Sequence, residues 1–400
     1  MLSGIFLAKF DMKKGNVIEW QQDCQDFPNL EFKSLPSGIH EQDDDVVNFT
    51  VFKDPNTYEN GLLQGVAYFK QNSFDTLDDS GQVDRSKILM YSLGILTEDT
   101  LLDEQYTSAL EKLLSDWLAA GELHSFDTFI QYYKEQKTGG ITRRSMTEYV
   151  PYWMEQLGPL IFPIWKSCLL NEKILVLIPF GCSFETCSAL CYFLHLVSNS
   201  SSVQETQLLF TIGTFDVDSM LKGTCGYIAC TSDEILTLND KLYDKLIKIP
   251  GDVENATVQF LTNTNELIKG TPHELELFQI SEKKGISDLS EPLTWSQFFM
   301  DSFYFLGTIG FIKPPYHNHI AVIDQVSIQP VLSYFKKRTQ ILHDILQTIA
   351  SEGSTTLSPM ELNMMDLDCF SKQDYEFIEK ISSKWFNKTI HVTTNMKSFC

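Results

Sequence analysis

The sequence predicts a mixed α+β and α/β fold that ends in a helical region. Three observations predict it. Strand-like runs come first, at 4–10, 16–20, 46–52, 62–69 and 88–96, and helical periodicity follows only from residue 100. In the middle, Ile174 to Ile178 reads Ile-Leu-Val-Leu-Ile without a polar residue. Such a run fits a strand covered on both faces, as in a parallel sheet. Beyond residue 291, apolar residues recur at helical spacing over Trp295–Phe311, Ile328–Ile349 and about 372–386.

The elements follow in order. Lys13-Lys14-Gly15-Asn16 is a hairpin signal between the first two runs. Residues 71–86 are polar and acidic and read as a loop. Leu102, Tyr106, Leu110, Leu113, Leu114, Trp117 and Leu118 define a helix over 100–119, and Ser125 begins a shorter one. Residues 137–150, KTGGITRRSMTEYV, read as a linker. Leu157, Leu160, Ile161, Ile164, Trp165, Cys168 and Leu169 predict a helix that starts near Gly158-Pro159, bends at Pro163 and ends at Asn171-Glu172. Pro179-Phe180-Gly181 breaks the central strand. Ser183 caps a helix over 184–198 that is apolar nearly all round, with Glu185 in its first turn. Leu208–Ile212, Tyr227–Cys230, Gln259–Leu261 and Leu277–Ile280 read as strands, Asn239–Ile247 as a connection or helix, and 282–291 as loop. The last helix carries an apolar face of Tyr375, Phe377, Ile378, Ile381 and Trp385. The expected division is 1–136, a linker at 137–150, a central α/β module at 151–290 and a helical region at 291–398.

The chain has 400 residues and a net charge of −22. Its length calls for more than one core. Its acidity argues against nucleic acid, whose backbone demands a basic footprint, and against unaided adhesion to anionic lipid. Nine cysteines without a disulfide-like spacing or a CxxC suit a reducing compartment. MLSGIFLAKFDMKKG lacks the basic start of a signal peptide, and no stretch reaches the roughly 20 apolar residues of a membrane span. The expectation is a cytoplasmic protein, peripheral on endomembranes through a partner or through acylation of Cys400.

Motifs for self-contained chemistry are missing from the sequence. There is no GxxxxGK[ST], GxGxxG or GxSxG. Gly181 reads as a sharp turn, and Gly223-Thr224-Cys225-Gly226 precedes a strand instead of a helix. Cys187, Cys191 and His195 share a helical face, but the outer two lie about 12 Å apart along the axis at 1.5 Å per residue. One zinc ion with bonds of about 2 Å would not reach all three. His317 and His319 lack a second ligand pair. No metal, no cofactor and no catalytic residue is expected. The arginines are Arg85, Arg143, Arg144 and Arg338. An arginine supplied to a GTPase stabilises transition-state charge, so Arg143 and Arg144 are the candidates for an arginine finger.

Four blocks carry a resemblance. The first is the helix with Gly158-Pro159 and Trp165-Lys166 followed by the Ile-Leu-Val strand. The second is YIACTSDEILTLNDKLYDKLI at 227–247. The third comprises GIFLAKFDMKKGNVIEW, FKSLPSGIHEQDDDVVNF and KILMYSLGILTED, and the fourth is DLDCFSKQDYEFIEKISSKWF. In their order along the chain they resemble DENN-domain proteins of the LCHN type. The resemblance implies a longin-like N-terminal module followed by a DENN-type α/β module with C-terminal helices. It also implies a guanine-nucleotide exchange factor that stabilises a nucleotide-free Rab-type small GTPase in membrane trafficking, held across the two modules. Ligands of open α/β sheets bind beyond the carboxyl ends of the strands, which singles out Phe180, Ser183 and Phe184 as contact candidates. The alternatives are a DENN-shaped scaffold without exchange activity and a GTPase-activating protein that uses Arg143 or Arg144.

Overall fold

The computed structural model describes residues 2–52, 62–72, 89–98, 104–120, 125–135, 145–199, 206–251, 256–278, 286–293 and 328–393. Strands β1 (Leu2–Asp11) and β2 (Gly15–Gln22) form the expected hairpin, where Asp11 Oδ1 accepts hydrogen bonds from the Lys13 and Lys14 amides at 2.8 and 3.0 Å. A short helix, α1 (Leu30–Ser34), precedes β3 (Asp44–Phe52), β4 (Leu62–Asn72) and β5 (Leu89–Thr97). Helices α2 (Glu104–Ala119) and α3 (Asp127–Glu135) follow. They cover one face of this antiparallel sheet, where Leu110, Leu114, Trp117 and Phe129 bury Ile5, Leu7, Val66 and Ile95. Period-2 strands with one face under amphipathic helices account for the early pattern.

The second half begins with α4 (Val150–Leu157) and α5 (Ile161–Leu169), separated by a 3₁₀ turn at Gly158–Leu160. Here the single bent helix of the sequence reading is corrected. The chain breaks at Gly158, and Pro163 then falls in the first turn of a new helix, where its missing N–H costs nothing. Next come β6 (Ile174–Leu177), α6 (Phe184–Ser198), β7 (Gln207–Thr211), α7 (Val217–Lys222), β8 (Tyr227–Thr231), β9 (Lys245–Lys248), β10 (Gln259–Thr262), β11 (Leu267–Ile268) and α8 (Pro272–Leu277). Strand β9 overlaps the end of Asn239–Ile247, the stretch expected to be a connection or helix. Leu277 ends a helix instead of starting a strand, because Thr271 and Glu274 form a reciprocal capping box around Pro272. The chain closes with α9 (Gln329–Ser351), β12 (Thr356–Leu357), α10 (Pro359–Met364), α11 (Lys372–Phe386) and β13 (His391–Val392), the last pairing in parallel with β12. The expected helix at Trp295–Phe311, the 73–86 part of the acidic loop, Leu102 and residues 282–285 lie outside the described residues.

Among the described residues, eleven strands form one sheet in the order β11-β10-β9-β6-β8-β7-β3-β4-β5-β1-β2. Strand β6 runs parallel between β8 and β9, and β7 runs parallel to β8. Ile174 and Val176 enter one core and Leu175 the other, so both faces of β6 are covered. The two halves join where β3 meets β7 in antiparallel fashion at Phe49 and Phe210. A continuous core runs beneath that seam, from Phe6, Phe49 and Phe69 to Trp165, Phe193, Phe335 and Phe377.

Gly226, at the end of the Gly223-Thr224-Cys225-Gly226 run, has a packing role. A Cβ on Gly226 would lie 1.9 Å from the Asn171 carbonyl oxygen and 2.3 Å from its carbon. Asn171 itself turns the chain with φ 52°. Gly226→Ala must push two backbones apart and is expected to cost about 1–3 kcal/mol. A lowered urea midpoint checks this, and an unchanged midpoint would contradict it.

Beneath α5, charges are buried. Lys166 Nζ donates to Glu274 Oε1 at 2.6 Å and to Asp374 Oδ1. Glu274 Oε2 accepts the Thr271 amide at 2.9 Å, and Asp374 Oδ2 accepts the Asp368 amide at 2.7 Å. Arg338 spreads its guanidinium 4.9 Å from the Phe162 ring centre and 5.2 Å from that of Trp165. It donates to the Tyr334 hydroxyl at 3.0 Å and to the Asp366 carbonyl. This cluster ties α5, α8, α9 and α11 together.

Candidate partner-docking edge

The parallel strands β9, β6, β8 and β7 deliver their carboxyl ends to one edge of the sheet. Local sequence determines each exit. After β6, Pro179 stops the strand, the Cys182 amide donates to the Pro179 carbonyl at 3.2 Å, and Gly181 takes φ +77°, a conformation glycine adopts without strain. Ser183 then caps α6 by accepting the Thr186 amide at 3.3 Å. After β7 the chain enters a 3₁₀ turn at Thr214–Asp216, and after β8 another at Glu234–Leu238. Strand β9 leads into Ile249-Pro250-Gly251.

These exits hold large apolar side chains in water. Phe180 is 80% exposed after β6, Ile235 64% and Leu238 83% after β8, and Phe215 51% after β7. Apolar side chains gathered at one edge mark an interaction surface more than single ones scattered over a fold. An open cleft of about 590 Å³ lies beside Phe180, between Tyr149–Tyr152, the 179–183 turn and Ile249–Gly251.

The N-terminal half reaches over the same edge. Phe32 stacks on Phe215 with ring centres 4.1 Å apart, and Lys33 pairs with Asp216. Ser232 Oγ donates to the Ser37 carbonyl at 2.5 Å, and Gln42 Nε2 donates to the Gly181 carbonyl at 2.8 Å. Asp45, at the start of β3 and 3% exposed, faces the N-terminus of α6. Its carboxylate accepts Ser183 Oγ at 2.9 Å and the Phe184, Glu185 and Val46 amides at 2.6, 3.3 and 2.7 Å. Burial pushes the Asp45 carboxyl above the ordinary carboxylate range, and these donors pull it partway back. A carboxylate from one half therefore caps a helix of the other, where the helix dipole favours negative charge.

The sequence-based candidates separate here. Phe180 stands at the lip of the cleft. Ser183 is a cap and a donor to Asp45. Phe184 is a correction: its side chain is 2% exposed and fills the core, so only its amide takes part at the edge. Arg143, Arg144, Arg85, His317, His319 and Cys400 lie outside the described residues. Cys187 and Cys191 are buried on α6, and His195 Nδ1 lies 3.2 Å from the Thr206 carbonyl. Among the described residues no group of three His, Cys, Asp or Glu could hold a metal ion, and no helix is long and apolar enough to cross a membrane. Sequence reasoning passed over Gln42, Asp45, Phe215, Ile235 and Leu238. The available signal for two of them was Ile235 and Leu238 three apart in a short polar stretch after a buried strand.

Comparison with known proteins adds a second line. The family model of DENN domain-containing protein 11 matches residues 5–145 and 134–258. A Saccharomyces cerevisiae protein, ANR2, is 36% identical over an alignment of 475 residues that covers 97% of this chain and 92% of that protein. A Schizosaccharomyces pombe protein, C119.16c, is 23% identical across 98% of this chain and 93% of its own length. DENN domain-containing protein 11 of Xenopus laevis is 24% identical over 61% of this chain and 58% of its own. The matched residues include β2 to β9 and the docking edge.

Proposed function

The chain belongs to the family of DENN domain-containing protein 11, and on that premise we propose that it is a guanine-nucleotide exchange factor for a Rab-type small GTPase in membrane trafficking. The observation that supports this most is the apolar edge built jointly by both halves: Phe180, Ile235, Leu238 and Phe215, with the 29–45 segment laid against them. An exchange factor makes no covalent bond. It binds the nucleotide-free GTPase more tightly than the loaded one, and about 5.5 kcal/mol of preference moves a two-state equilibrium from about 1:99 to 99:1. Several buried apolar contacts supply such a difference more readily than one reactive side chain. In this reading residues 1–136 are the longin-like module, 137–150 the linker, 151–290 the central DENN module and 291–398 its helical extension. The protein works in the cytoplasm and reaches endomembranes through its partner.

Release of fluorescent GDP from a complete Rab panel, with and without the full chain, tests the proposal. At least one Rab should release nucleotide faster. For that Rab, Phe180→Ala and Leu238→Ala should each lower the rate about 10- to 30-fold, the scale of a hot-spot contact. Arg143→Ala and Arg144→Ala should leave it nearly unchanged. If no Rab responds although one still binds through Phe180, the chain is a scaffold. If GTP hydrolysis accelerates and depends on Arg143 or Arg144, it is a GTPase-activating protein.

A further inference from the structure

Cys182, which lines the cleft, has its Sγ 3.7 Å from Cys187 Sγ behind it. Cys182 is half-buried on the loop between β6 and α6, and Cys187 is fully buried in the first turn of α6. A disulfide needs about 2.05 Å between sulfurs, so the pair must close by about 1.7 Å. Cys187 is held in place by the core and by the hydrogen bond its amide donates to the Ser183 carbonyl at 3.2 Å. The loop is the side with room to move, since nothing lies within 4 Å of a Cβ placed on Gly181. The buried cysteines of α5, α6 and β8 are placed differently: Cys168 is 1% exposed, and Cys191 and Cys230 are 0%. An oxidant arriving from water meets Cys182 before any of them.

We propose that Cys182 and Cys187 are an oxidisable dithiol, a modification site that exchanges with a small disulfide such as glutathione disulfide and reshapes the lip of the cleft. In the first step the Cys182 thiolate attacks one sulfur of glutathione disulfide, forming a mixed disulfide and expelling a glutathione thiolate. Cys187 then gives its proton to solvent base and attacks the Cys182 sulfur, expelling the second glutathione thiolate. Two protein thiols are oxidised, one glutathione disulfide is reduced to two glutathiones, and no other reactant is needed. Cys182, half-buried on the loop before the Ser183 cap, is the sulfur a dissolved disulfide reaches first. The hydrogen bond with Cys182, together with burial, holds the Cys187 thiol above its ordinary range, which makes it the resolving thiol and not the first attacker. Closure draws Cys182 inward and takes the Gly181 carbonyl away from Gln42, which moves Phe180. This consequence for docking rests on the function proposed above; the dithiol itself does not.

The test uses the full chain and no GTPase, so its failure is separate from failure of the exchange reading. The protein is equilibrated in glutathione buffers of increasing oxidation, acid-quenched, alkylated and mapped by mass spectrometry. The expected product is a peptide in which Cys182 and Cys187 have lost two hydrogens while Cys168, Cys191 and Cys230 are alkylated. Cys187→Ala should stop at Cys182 carrying one glutathione, and Cys182→Ser should abolish both products. The equilibrium constant against glutathione should be at least tenfold higher for the native chain than for the chain in urea. Equal constants, a mixed disulfide that never closes in the wild-type chain, or preferential closure of Cys191 with Cys230 would each overturn the proposal.

Discussion

Lys166→Met should destabilise the protein by about 3–5 kcal/mol, the cost of breaking a buried ion cluster from one side. Methionine matches the lysine stem in length but leaves Glu274 and Asp374 as buried carboxylates without their cation. In the native chain burial works against the Lys166 charge, but Asp374 and Glu274 outweigh it and its pKa rises above the ordinary 10.5. For a lysine with a raised folded value, the stabilisation is complete below the unfolded value and fades only as pH climbs through the folded one. The wild-type contribution is thus constant across neutral pH. Burial likewise raises the Glu274 carboxyl, with Lys166 pulling it back. Removing the lysine frees that upward shift, so the loss in Lys166→Met should shrink as pH falls and Glu274 takes up a proton. Urea midpoints at neutral and acidic pH measure both effects. A triple replacement, Lys166→Met with Glu274→Gln and Asp374→Asn, should recover most of the loss. A neutral-pH cost below about 1 kcal/mol would mean that the cluster is solvated.

Asp45→Ala should cost about 2–3 kcal/mol, because it leaves the buried Phe184 amide and the Glu185 amide without their acceptor. Asp45→Asn keeps an acceptor oxygen and should cost about 1 kcal/mol. Ser183→Ala removes an ordinary cap and should also cost about 1 kcal/mol. An order with Asp45→Ala worst, then Asp45→Asn and Ser183→Ala together, distinguishes a carboxylate that pins the two halves from a local turn residue. Amide hydrogen exchange supplies the second readout. Protection at Phe184 and Glu185 should fall in Asp45→Ala, and so should protection at Val46, whose amide shares the same carboxylate. If Asp45→Ala proved no worse than Ser183→Ala, the Asp45 carboxylate would not be what holds the seam.

The sequence by itself determined the elements whose signal lies within a few residues. Ile174 to Ile178 reads as a doubly covered strand because no polar residue alternates with the apolar ones, and it lies between two parallel neighbours. Lys13-Lys14-Gly15-Asn16 reads as a hairpin because the turn chemistry is local, and Ser183 reads as a cap for the same reason. Where such signals compete, single-chain reading went astray. Lys245–Lys248 carries a lysine at each end and looked like a connection, but its neighbours β6 and β10 pair with it on both sides. Leu277 looked like the start of a strand because its apolar neighbours outweighed the Thr271–Glu274 box that starts a helix.

Tertiary structure alone decided what faces water and what meets across the chain. Phe180 and Phe184 are both phenylalanines of one strand-to-helix turn, four residues apart, and no local rule separates them. One is 80% exposed and the other 2%, because α6 lies on the sheet and carries Phe184 into the core. Asp45 ends an acidic run, Asp43-Asp44-Asp45, in which nothing local marks one carboxylate for burial. It becomes a buried helix cap only because β3 pairs with β7, 161 positions apart at Phe49 and Phe210, and so brings residue 45 to residue 184. Periodicity, caps and turn conformations are properties of neighbouring residues. Burial and capping across the seam depend on which sheet edges meet, and that is settled by the summed burial of many side chains far apart in sequence.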